Sequence, residues 1–327
     1  MTTISAIRIE KTGGPDMMLL KDVELGRPGP GEITVRAKAI GVNFIDTYHR
    51  SGLYPVQLPS GIGMEAAGIV EAVGDGVTQF SVGDRAAYAS GPAGAYAQAH
   101  NVSAASAVKI PDGVTDEQAA AMMLKGMTAQ FLLRQTFRVE KGQTILWHAA
   151  AGGVGLIACQ WAKHLGATVI GTTSSEEKAQ LARAHGCDHV IDYTKEDVAE
   201  RVNEITGGKK LPVVYDGVGK ATFMSSLDSL APLGLLVSFG NASGPVTDVN
   251  LGILALKGSL YVTRPTMYHY AAKTPTAFQE MADELFAVVK SGAVKIGINQ
   301  RYSLADAAQA HRDLESRKTT GASILVP

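Results

Sequence analysis

The segment TILWHAAAGGVGLIACQWAKHLGATVIGTTSSEEK, residues 144–178, decides the fold class of this 327-residue chain. Its apolar start, 144–148, predicts a strand, and small residues then lead to Gly155. Apolar residues recur after this turn at spacings of three and four, which predicts an amphipathic helix. Gly166 follows where the end of a helix favours a residue that tolerates positive φ. A second apolar run, 167–170, completes a strand–helix–strand unit.

The turn between the first strand and the helix indicates a dinucleotide site. Small residues let backbone N–H groups approach a pyrophosphate, and the helix N-terminus supplies a partial positive charge. The turn reads AAGGVG at 150–155, so alanine replaces the first glycine of the usual fingerprint. Alanine still makes this turn if its φ is negative. A glycine-rich turn in an ordinary α/β domain is the alternative, but the ordered strand, turn, helix and strand favour nucleotide binding.

The end of the second strand favours NADP over NAD. NAD sites usually carry an Asp or Glu about 20 residues beyond the glycines, where it binds the ribose hydroxyls. Here the strand ends in GTTSS, 171–175, and the acids Glu176 and Glu177 start a helix that includes Lys178. Hydroxyls and a cation suit a 2′-phosphate, which a carboxylate would repel. A serine of this segment also suits the N-cap of the helix, and the two roles are compatible.

The composition is typical of a cytoplasmic α/β enzyme. The chain is long enough for two domains with separate cores, and its 46% hydrophobic and 19% charged residues exclude a disordered or fibrous class. A net charge of −1 provides no field that would attract nucleic acid or an anionic membrane. The N-terminus lacks a signal-peptide pattern, and no apolar run approaches the length of a membrane span. Cys159 and Cys187 do not support a disulfide framework, so a reducing cytoplasm fits.

The first 125 residues predict a small, partly open barrel. Short strands such as 4–9 alternate with turns, and polar and apolar residues alternate over 32–40, as in a half-buried strand. The segment GVNFIDTYH, 41–49, predicts a loop that turns into a short helix. The glycine-punctuated run 63–74 predicts another strand of the barrel.

From about residue 126 strands alternate with helices, which predicts a doubly wound sheet of six parallel strands. The segment TKED, 194–197, resembles a capping box for a helix with Val198, Val202 and Ile205 on its apolar face. The further strands of this sheet are expected at 189–191, 211–215, 235–239 and 259–263, and further helices at 176–185 and 222–230. The remaining residues, 266–327, are expected to contain a helix at 275–290 and a final strand at 322–326.

Several segments resemble one enzyme family. The run 142–163 resembles the signature of the quinone oxidoreductase/ζ-crystallin branch of the medium-chain dehydrogenases/reductases. The run Gly63-x-Glu65-x-x-Gly68-x-Val70-x-x-x-Gly74 is similar to the catalytic-domain motif of that superfamily. The similarity covers essentially the whole chain. Segments close to bacterial NADPH:quinone reductases are AIGVNFIDTYHRSGLYP, KGMTAQFLLR, VVYDGVG, VSFGNASGPV and GSLYVTRP.

That resemblance implies the domain organisation and the assembly. It implies a GroES-like, partly open β-barrel catalytic domain formed by residues 1–125 and 266–327, and a Rossmann NADPH-binding domain at 126–265, with the active site in the cleft between them. It also implies a homodimer whose sheets pair edge to edge through the strand near Ser259–Thr263. This apolar strand would otherwise present an unprotected edge.

The resemblance also implies an enzyme without zinc. Zinc-dependent relatives carry Cys where this chain has Asn43 and His where it has Met64, and the four cysteines of their structural zinc are absent. The eight histidines are scattered, without short metal-ligand spacings. His148, beside the glycine turn, is expected to pack or hydrogen-bond at the strand end rather than to bind metal.

The resemblance, together with the turn and the strand ends, gives the expected site residues. Asn43, Tyr48 and Tyr54 are the expected catalytic residues; the tyrosines line the quinone pocket, where a hydroxyl hydrogen-bonds a quinone oxygen. Packing at the rim is the alternative for the tyrosines, and no general acid is assigned. The residues expected on the nicotinamide half of NADPH are Asn43, Ile45, Asp46, Thr47 and Thr128, and those expected at the turn are Gly152, Gly153 and Val154. Around the 2′-phosphate and the adenine ribose, the expected residues are Thr173, Ser174, Lys178 and Tyr193. Further cofactor contacts are expected from Asp216, Phe239, Gly240, Asn241, Thr263, Arg264 and Arg317; for Arg317, an ordinary solvated surface arginine is the alternative.

The expected function is NADPH-dependent reduction of a quinone. A quinone needs less polarisation than an alcohol or carbonyl, because its reduction potential drives the acceptance of hydride or electrons. The residues do not distinguish one-electron from two-electron transfer. Reduction of the C=C bond of an enal or enone is an alternative with the same hydride geometry. A third interpretation, an NADPH-binding structural or RNA-binding protein, is disfavoured by the neutral charge and the lack of a basic-aromatic cluster.

Overall fold

A computed structural model describes residues 1–89 and 91–327. The chain folds into two compact units. The first unit comprises Met1–Met127, Thr274–Lys290 and Ile296–Pro327, and the second comprises Thr128–Lys273 and Ser291–Lys295. The domain boundaries expected from the sequence, after residues 125 and 265, lie close to two of these divisions and remain a prediction.

The first unit is built on two sheets. A seven-stranded sheet has the order β15-β16-β3-β5-β6-β8, with β7 beside β3, and a three-stranded sheet has the order β2-β1-β4. The strands are β1 (Thr2–Ile9), β2 (Leu19–Leu25), β3 (Glu32–Val42), β4 (Ser60–Gly61), β5 (Glu65–Val73), β6 (Arg85–Ala89), β7 (Ala99–Ser103), β8 (Ala107–Lys109), β15 (Ile298–Ser303) and β16 (Ala322–Val326).

The long strand β3 organises the first unit. One of its edges pairs with β5, and the other pairs with β7 at its start and with β16 at its end. Its residues Ile33, Val35 and Ala37 are buried in the barrel core, as the predicted alternation requires. The helices of this unit are α1 (Phe44–Ser51), α2 (Asp116–Phe131), whose last turn belongs to the second unit, α9 (Ala277–Lys290) and α10 (Ala307–Glu315).

The second unit contains the predicted doubly wound sheet. Its six strands all pair in parallel in the order β11-β10-β9-β12-β13-β14, which is the dinucleotide-binding order, so this prediction is confirmed. The strands are β9 (Thr144–Trp147), β10 (Thr168–Thr173), β11 (His189–Asp192), β12 (Leu211–Asp216), β13 (Leu230–Ser238) and β14 (Tyr261–Thr263), and the helices are α3 (Gly153–His164), α4 (Glu176–Ala184), α5 (Val198–Ile205), α6 (Phe223–Asp228), α7 (Gly252–Leu256) and α8 (Met267–Ala271).

Two local predictions in the second unit are wrong. The N-cap of α5 is Asp197, whose carboxylate accepts from the backbone N–H of Glu200, so Thr194 does not begin a capping box. Thr194 instead donates its hydroxyl to Asp192 at the end of β11, because the intervening residues form a turn. The strand β13 also starts at Leu230, five residues before the expected start at 235.

The described helices include none that is both long enough and apolar enough to cross a membrane.

Candidate functional site

The turn between β9 and α3 has the geometry of an anion cradle. Gly152 is the N-cap of α3 and supplies no side-chain cap, so the first N–H groups of the helix face outward for a ligand. A Cβ on Gly155 would lie 2.6 Å from the carbonyl oxygens of both Ala149 and Ala150, so only glycine fits there. The positive φ of the turn falls on Ala149, at 54°, and Ala150 keeps a φ outside the left-handed region, as the sequence requires.

The end of β10 brings together the residues expected at the 2′-phosphate. Ser175 is the N-cap of α4 and accepts a hydrogen bond from the backbone N–H of Lys178, 3.3 Å away. The half-buried Ser174 is therefore not the capping serine. Tyr193 lies next to this segment, because its backbone N–H donates to the carbonyl of Thr173 at 3.2 Å. Within 171–175 the side chains are hydroxyls and no carboxylate is present.

A second group of expected residues lies at the carboxyl ends of β12 and β13. The Asp216 carboxylate, which is buried, accepts from the backbone N–H groups of Val218 and Gly219 and from the hydroxyls of Thr222 and Ser226, at 2.7–3.0 Å. Because these donors occupy both of its oxygens, Asp216 shapes the loop that follows β12.

Close packing joins the ends of β12 and β13. A Cβ on Gly240 would lie 2.2 Å from the carbonyl oxygen of Gly217, so the two loops meet backbone to backbone. Arg264, just after Thr263 at the end of β14, donates to the carbonyls of Ser238 and Gly240 at 2.9 and 3.0 Å. Phe239 and Asn241 lie in the same loop, where ligands of open α/β sheets bind.

In the first unit, Asn43 is the N-cap of α1 and its side chain is held by buried ionic groups. Its amide Nδ2 donates to Glu65 Oε2 at 2.8 Å, and the same oxygen lies 3.1 Å from Lys125 Nζ. Glu65 Oε1 accepts from the backbone N–H of Leu124 at 2.8 Å. Both members of the ion pair are buried, and Gly41 leaves the room they need, since a Cβ there would lie 2.1 Å from Glu65 Oε2.

Asp46 holds Asn43 from the other side. Its Oδ2 accepts from the backbone N–H of Asn43 at 2.8 Å and from the Tyr96 hydroxyl at 2.9 Å. Its Oδ1 is buried without a hydrogen-bond partner among the described residues. Burial raises the pKa of Asp46 from 3.8 to about 7, against the opposing effect of these two hydrogen bonds. The chain continues from Tyr96 to His311 Nε2 at 3.0 Å and from His311 Nδ1 to Arg50 at 3.1 Å.

The tyrosines expected at the quinone pocket lie together in this unit. The rings of Tyr48 and Tyr54 meet edge to face with centroids 5.2 Å apart, and Tyr48 is buried while Tyr54 is half-buried. Thr47 donates its hydroxyl back to the carbonyl of Phe44 within α1. Ile45 lies in the first turn of α1, Thr128 lies in the last turn of α2, and Arg317 lies just after α10.

Several residues of these networks have no signal in the sequence. Glu65 and Lys125 stand in segments that resemble the family, but neither segment predicts an ion pair 60 residues apart in the chain. Tyr96 and His311 are separated by 215 residues. Residues 1–89 and 91–327 contain no group of three or more His, Cys, Asp or Glu side chains placed to hold a metal ion; the absence of zinc remains a prediction.

Comparisons with known proteins identify the family. Residues 29–112 match the family model described as "Alcohol dehydrogenase GroES-like domain", and residues 153–287 match "Zinc-binding dehydrogenase". A quinone oxidoreductase of Pseudomonas aeruginosa is 61% identical over 98% of this chain and 99% of its own. The crystal structure of Escherichia coli quinone oxidoreductase complexed with NADPH superposes with a TM-score of 0.97, at 52% identity over 99% of this chain and 100% of that one. A 2-haloacrylate reductase of a Burkholderia species is 46% identical over 99% of both chains. The chain therefore belongs to the quinone oxidoreductase family of the medium-chain dehydrogenases/reductases.

Proposed function

We propose that this protein is an NADPH-dependent quinone reductase. The observation that carries the cofactor assignment is the end of β10, where residues 171–175 include Ser174 and no carboxylate. Lys178 follows in the first turn of α4, after the exposed Glu176 and Glu177. A phosphate binds well to a lysine and hydroxyls, whereas a nearby carboxylate would repel it. The relatives support the substrate class, since they include quinone oxidoreductases and one of these was crystallised with NADPH.

The second unit fits the pyrophosphate and the adenosine half of NADPH. Gly152 is the N-cap and has no side chain to cap the helix, so the N–H groups of Gly153 and Val154 in the first turn of α3 suit a pyrophosphate. Ser174, Lys178 and Tyr193 suit the 2′-phosphate and its ribose. The carboxylate of Asp216 is fully engaged by its own loop, so we propose that it contributes by ordering that loop. Further contacts are proposed for Thr173, Phe239, Gly240, Asn241, Thr263, Arg264 and Arg317.

The residues proposed for the reaction itself belong to the first unit, apart from Thr128, which belongs to the second. The bound cofactor supplies hydride, and the protein has to orient the acceptor and exclude water. We propose that Asn43, fixed by Glu65 and Asp46, faces the nicotinamide half together with Ile45, Thr47 and Thr128. Asp46 is buried, so it acts through the backbone of Asn43. Tyr48 and Tyr54 offer an aromatic wall, and a tyrosine hydroxyl stabilises charge that develops on a quinone oxygen.

Reduction of an activated C=C bond is the second candidate, and the 46% identity to a 2-haloacrylate reductase favours it. Turnover of 1,4-benzoquinone and 9,10-phenanthrenequinone, compared with 2-alkenals and 2-chloroacrylate at equal NADPH, separates the two functions. Quinone turnover that is at least tenfold faster supports the first. Turnover of the alkenes alone would overturn it. Metal analysis of the active protein tests the proposed absence of zinc, which stoichiometric zinc would contradict.

The cofactor assignment is tested by the substitution Lys178→Ala. Loss of a charged hydrogen bond to phosphate costs about 1.5–3 kcal/mol, so the Kd of NADPH should rise tenfold or more while that of NADH changes little. Lys209→Ala, at an exposed lysine of the same unit, is the matched control and should leave both constants unchanged. Equal losses for NADPH and NADH would refute the assignment to the phosphate.

We further propose a cytoplasmic homodimer that forms through β14. This strand ends the six-stranded sheet, and its residues Tyr261 and Val262 are exposed, so a second copy could continue the sheet and cover them. Light scattering should give twice the mass of one chain, and Val262→Lys should shift the protein toward monomer. A monomeric wild-type protein at micromolar concentration would contradict the proposal.

A further inference from the structure

A chain of buried hydrogen bonds runs from the nucleotide-binding turn into the sheet. The backbone N–H of Ala149 donates to Thr172 Oγ1 at 3.2 Å, and Thr172 Oγ1 lies 3.1 Å from His148 Nδ1. His148 Nε2 lies 3.0 Å from Ser226 Oγ, which donates to Asp216 Oδ2 at 2.8 Å. Each of these side chains is at most 1% exposed. These hydrogen bonds therefore link the turn just after β9 to β10, α6 and β12 without access to water.

The chemistry of the end groups fixes the direction of every proton. A carboxylate only accepts, so the Ser226 hydroxyl donates to Asp216 and has to accept from His148 Nε2–H. A neutral imidazole with its proton on Nε2 presents Nδ1 as an acceptor, which receives the Thr172 hydroxyl. Thr172 then accepts the N–H of Ala149 with its lone pair. Burial lowers the pKa of His148, which agrees with a neutral ring.

Ala149 is the residue of the turn that this series of hydrogen bonds holds. Its φ of 54° is a left-handed conformation that an alanine rarely adopts without support. Its carbonyl accepts from the N–H of Gly152 at 2.9 Å, and it limits the space at Gly155. The conformation of Ala149 therefore sets the position of the first N–H groups of α3.

We propose that His148 is a positioning residue for cofactor binding: as a neutral, Nε2-protonated imidazole it holds Thr172, and through Thr172 it holds Ala149 in the conformation that aligns the anion cradle. The inference rests on the proposed function, because it takes this turn to be the pyrophosphate site. It adds a buried residue to those proposed for the cofactor, and it connects the turn to Asp216 at the end of β12. A protonated ring would turn Nδ1 into a donor and leave the Thr172 hydroxyl without an acceptor.

The test compares Thr172→Val with Thr34→Val by NADPH titration. Valine has nearly the same shape as threonine, so both substitutions remove a buried hydroxyl with little change in packing. Thr34, whose hydroxyl donates to Asn101 in the first unit, is the control. We expect Thr172→Val to raise the Kd of NADPH tenfold or more, with kcat at saturating NADPH and the KM for quinone near the wild-type values. Thr34→Val should leave the Kd of NADPH unchanged, even if its melting temperature falls as much as that of Thr172→Val. Equal Kd values for the two variants would overturn the inference.

Substitutions of the ring itself give the second comparison. His148→Gln keeps one donor and one acceptor and should bind NADPH within about threefold of wild type, whereas His148→Leu should lose tenfold or more. A leucine variant that binds as tightly as wild type would overturn the proposal. Failure of the wild-type protein to bind NADPH would instead overturn the proposed function.

A measurement on the unaltered protein does not depend on the folding of any variant. In protein labelled with ¹⁵N-histidine, the His148 signal, assigned by its absence from His148→Gln or by contact with neighbouring protons, should show a neutral ring protonated at Nε2 at about pH 7. A proton on Nδ1, or a charged ring, would refute the assignment.

Discussion

Asp46 and Asp216 are two fully buried carboxylates that are solvated by the protein in opposite ways. Asp216 accepts from two backbone N–H groups and two hydroxyls, and both of its oxygens are occupied. Asp46 accepts from one backbone N–H and one hydroxyl, both on Oδ2, and its Oδ1 has no partner among the described residues. Because a buried carboxylate needs hydrogen bonds to replace those of water, the two sites differ in how completely the protein supplies them.

The difference reflects where the donors come from. All donors to Asp216 lie within ten residues along the chain, in the loop and helix that follow β12, so one short segment completes the site. Asp46 depends on Tyr96, which in turn accepts from His311 on α10. Arg50 can only donate, so it donates to His311 Nδ1, and the ring then donates from Nε2 to Tyr96. The local site is saturated, and the site assembled from distant segments keeps a bare oxygen beside Asn43.

The largest expected effect is the pH dependence of Asp46→Asn. The folded pKa of Asp46, about 7, lies above the ordinary value of 3.8, so the native state retains a proton that the unfolded state releases. This contribution to stability is full below about pH 4 and is lost as the pH rises through 7. Asparagine cannot ionise, so the variant does not lose this contribution. The difference in the free energy of unfolding, variant minus wild type, should therefore rise by about 4 kcal/mol between about pH 4 and pH 8.

Urea denaturation across this pH range gives the comparison for Asp46. Burial lowers the pKa of His100 to about 4 and that of His311 to about 3, so the folded protein loses stability as the pH falls toward these values. This loss is the same in the variant and the wild type, because both contain these histidines. Asp112→Asn, at an exposed position, controls for the Asp-to-Asn change itself. A constant difference between Asp46→Asn and wild type at all pH values would show that Asp46 is well solvated after all.

The second expected effect is the loss of stability in Asp216→Asn. An amide places an NH₂ group against N–H and hydroxyl donors that need an acceptor, so at least one of these donors is left buried and unpaired. The cost should be about 3 kcal/mol in the free energy of unfolding at about pH 7. Asp46→Asn should cost less than about 1 kcal/mol under the same conditions, because its new NH₂ can replace the bare oxygen. Equal losses in the two variants would remove the distinction between the two sites.

The sequence predicts most of the second unit because its signals are local. Apolar periodicity places the strands and α3, and Gly166 adopts the expected positive φ of 88°. The alternative role of a serine as helix cap is confirmed at Ser175. The start of β13 is not predicted, because the sequence of Ala231, Pro232 and Leu233 is more typical of a turn than of a strand. Leu233 indeed has a φ of 64°.

The site in the first unit is less predictable because its contacts join distant segments. Asn43 and Asp46 lie in a segment that resembles the family and that predicts a loop turning into a short helix. No local pattern indicates that Glu65, Lys125 or His311 would meet them, since these three residues lie on β5, α2 and α10, far from residues 43–46 along the chain. Burial of a carboxylate with one bare oxygen is a property of the assembled barrel.

The smallest expected effect is at the outer end of the Asp46 network, in Glu315→Gln. Arg50 is 3% exposed and forms a paired hydrogen bond with Glu315, whose side chain is 38% exposed. Loss of the charge leaves a buried guanidinium whose acceptors among the described residues are all neutral: the amide oxygen of the new glutamine, the carbonyl of Gly13 and the ring of His311. The partial exposure of Glu315 limits the cost to about 1 kcal/mol in the free energy of unfolding.

Glu117→Gln is the matched control for Glu315→Gln, because Glu117 pairs with Arg301 where both side chains are exposed. That change should cost less than about 0.5 kcal/mol. If the two variants lose the same stability in urea, Arg50 does not depend on Glu315, and the network that supports Asp46 ends at His311. If Glu315→Gln loses more free energy of unfolding than Glu117→Gln while the pH dependence of stability assigned to Asp46 is unchanged, the ion pair of Arg50 and Glu315 anchors α10. The environment of the Asp46 Oδ1 would then be determined by the barrel and not by that ion pair.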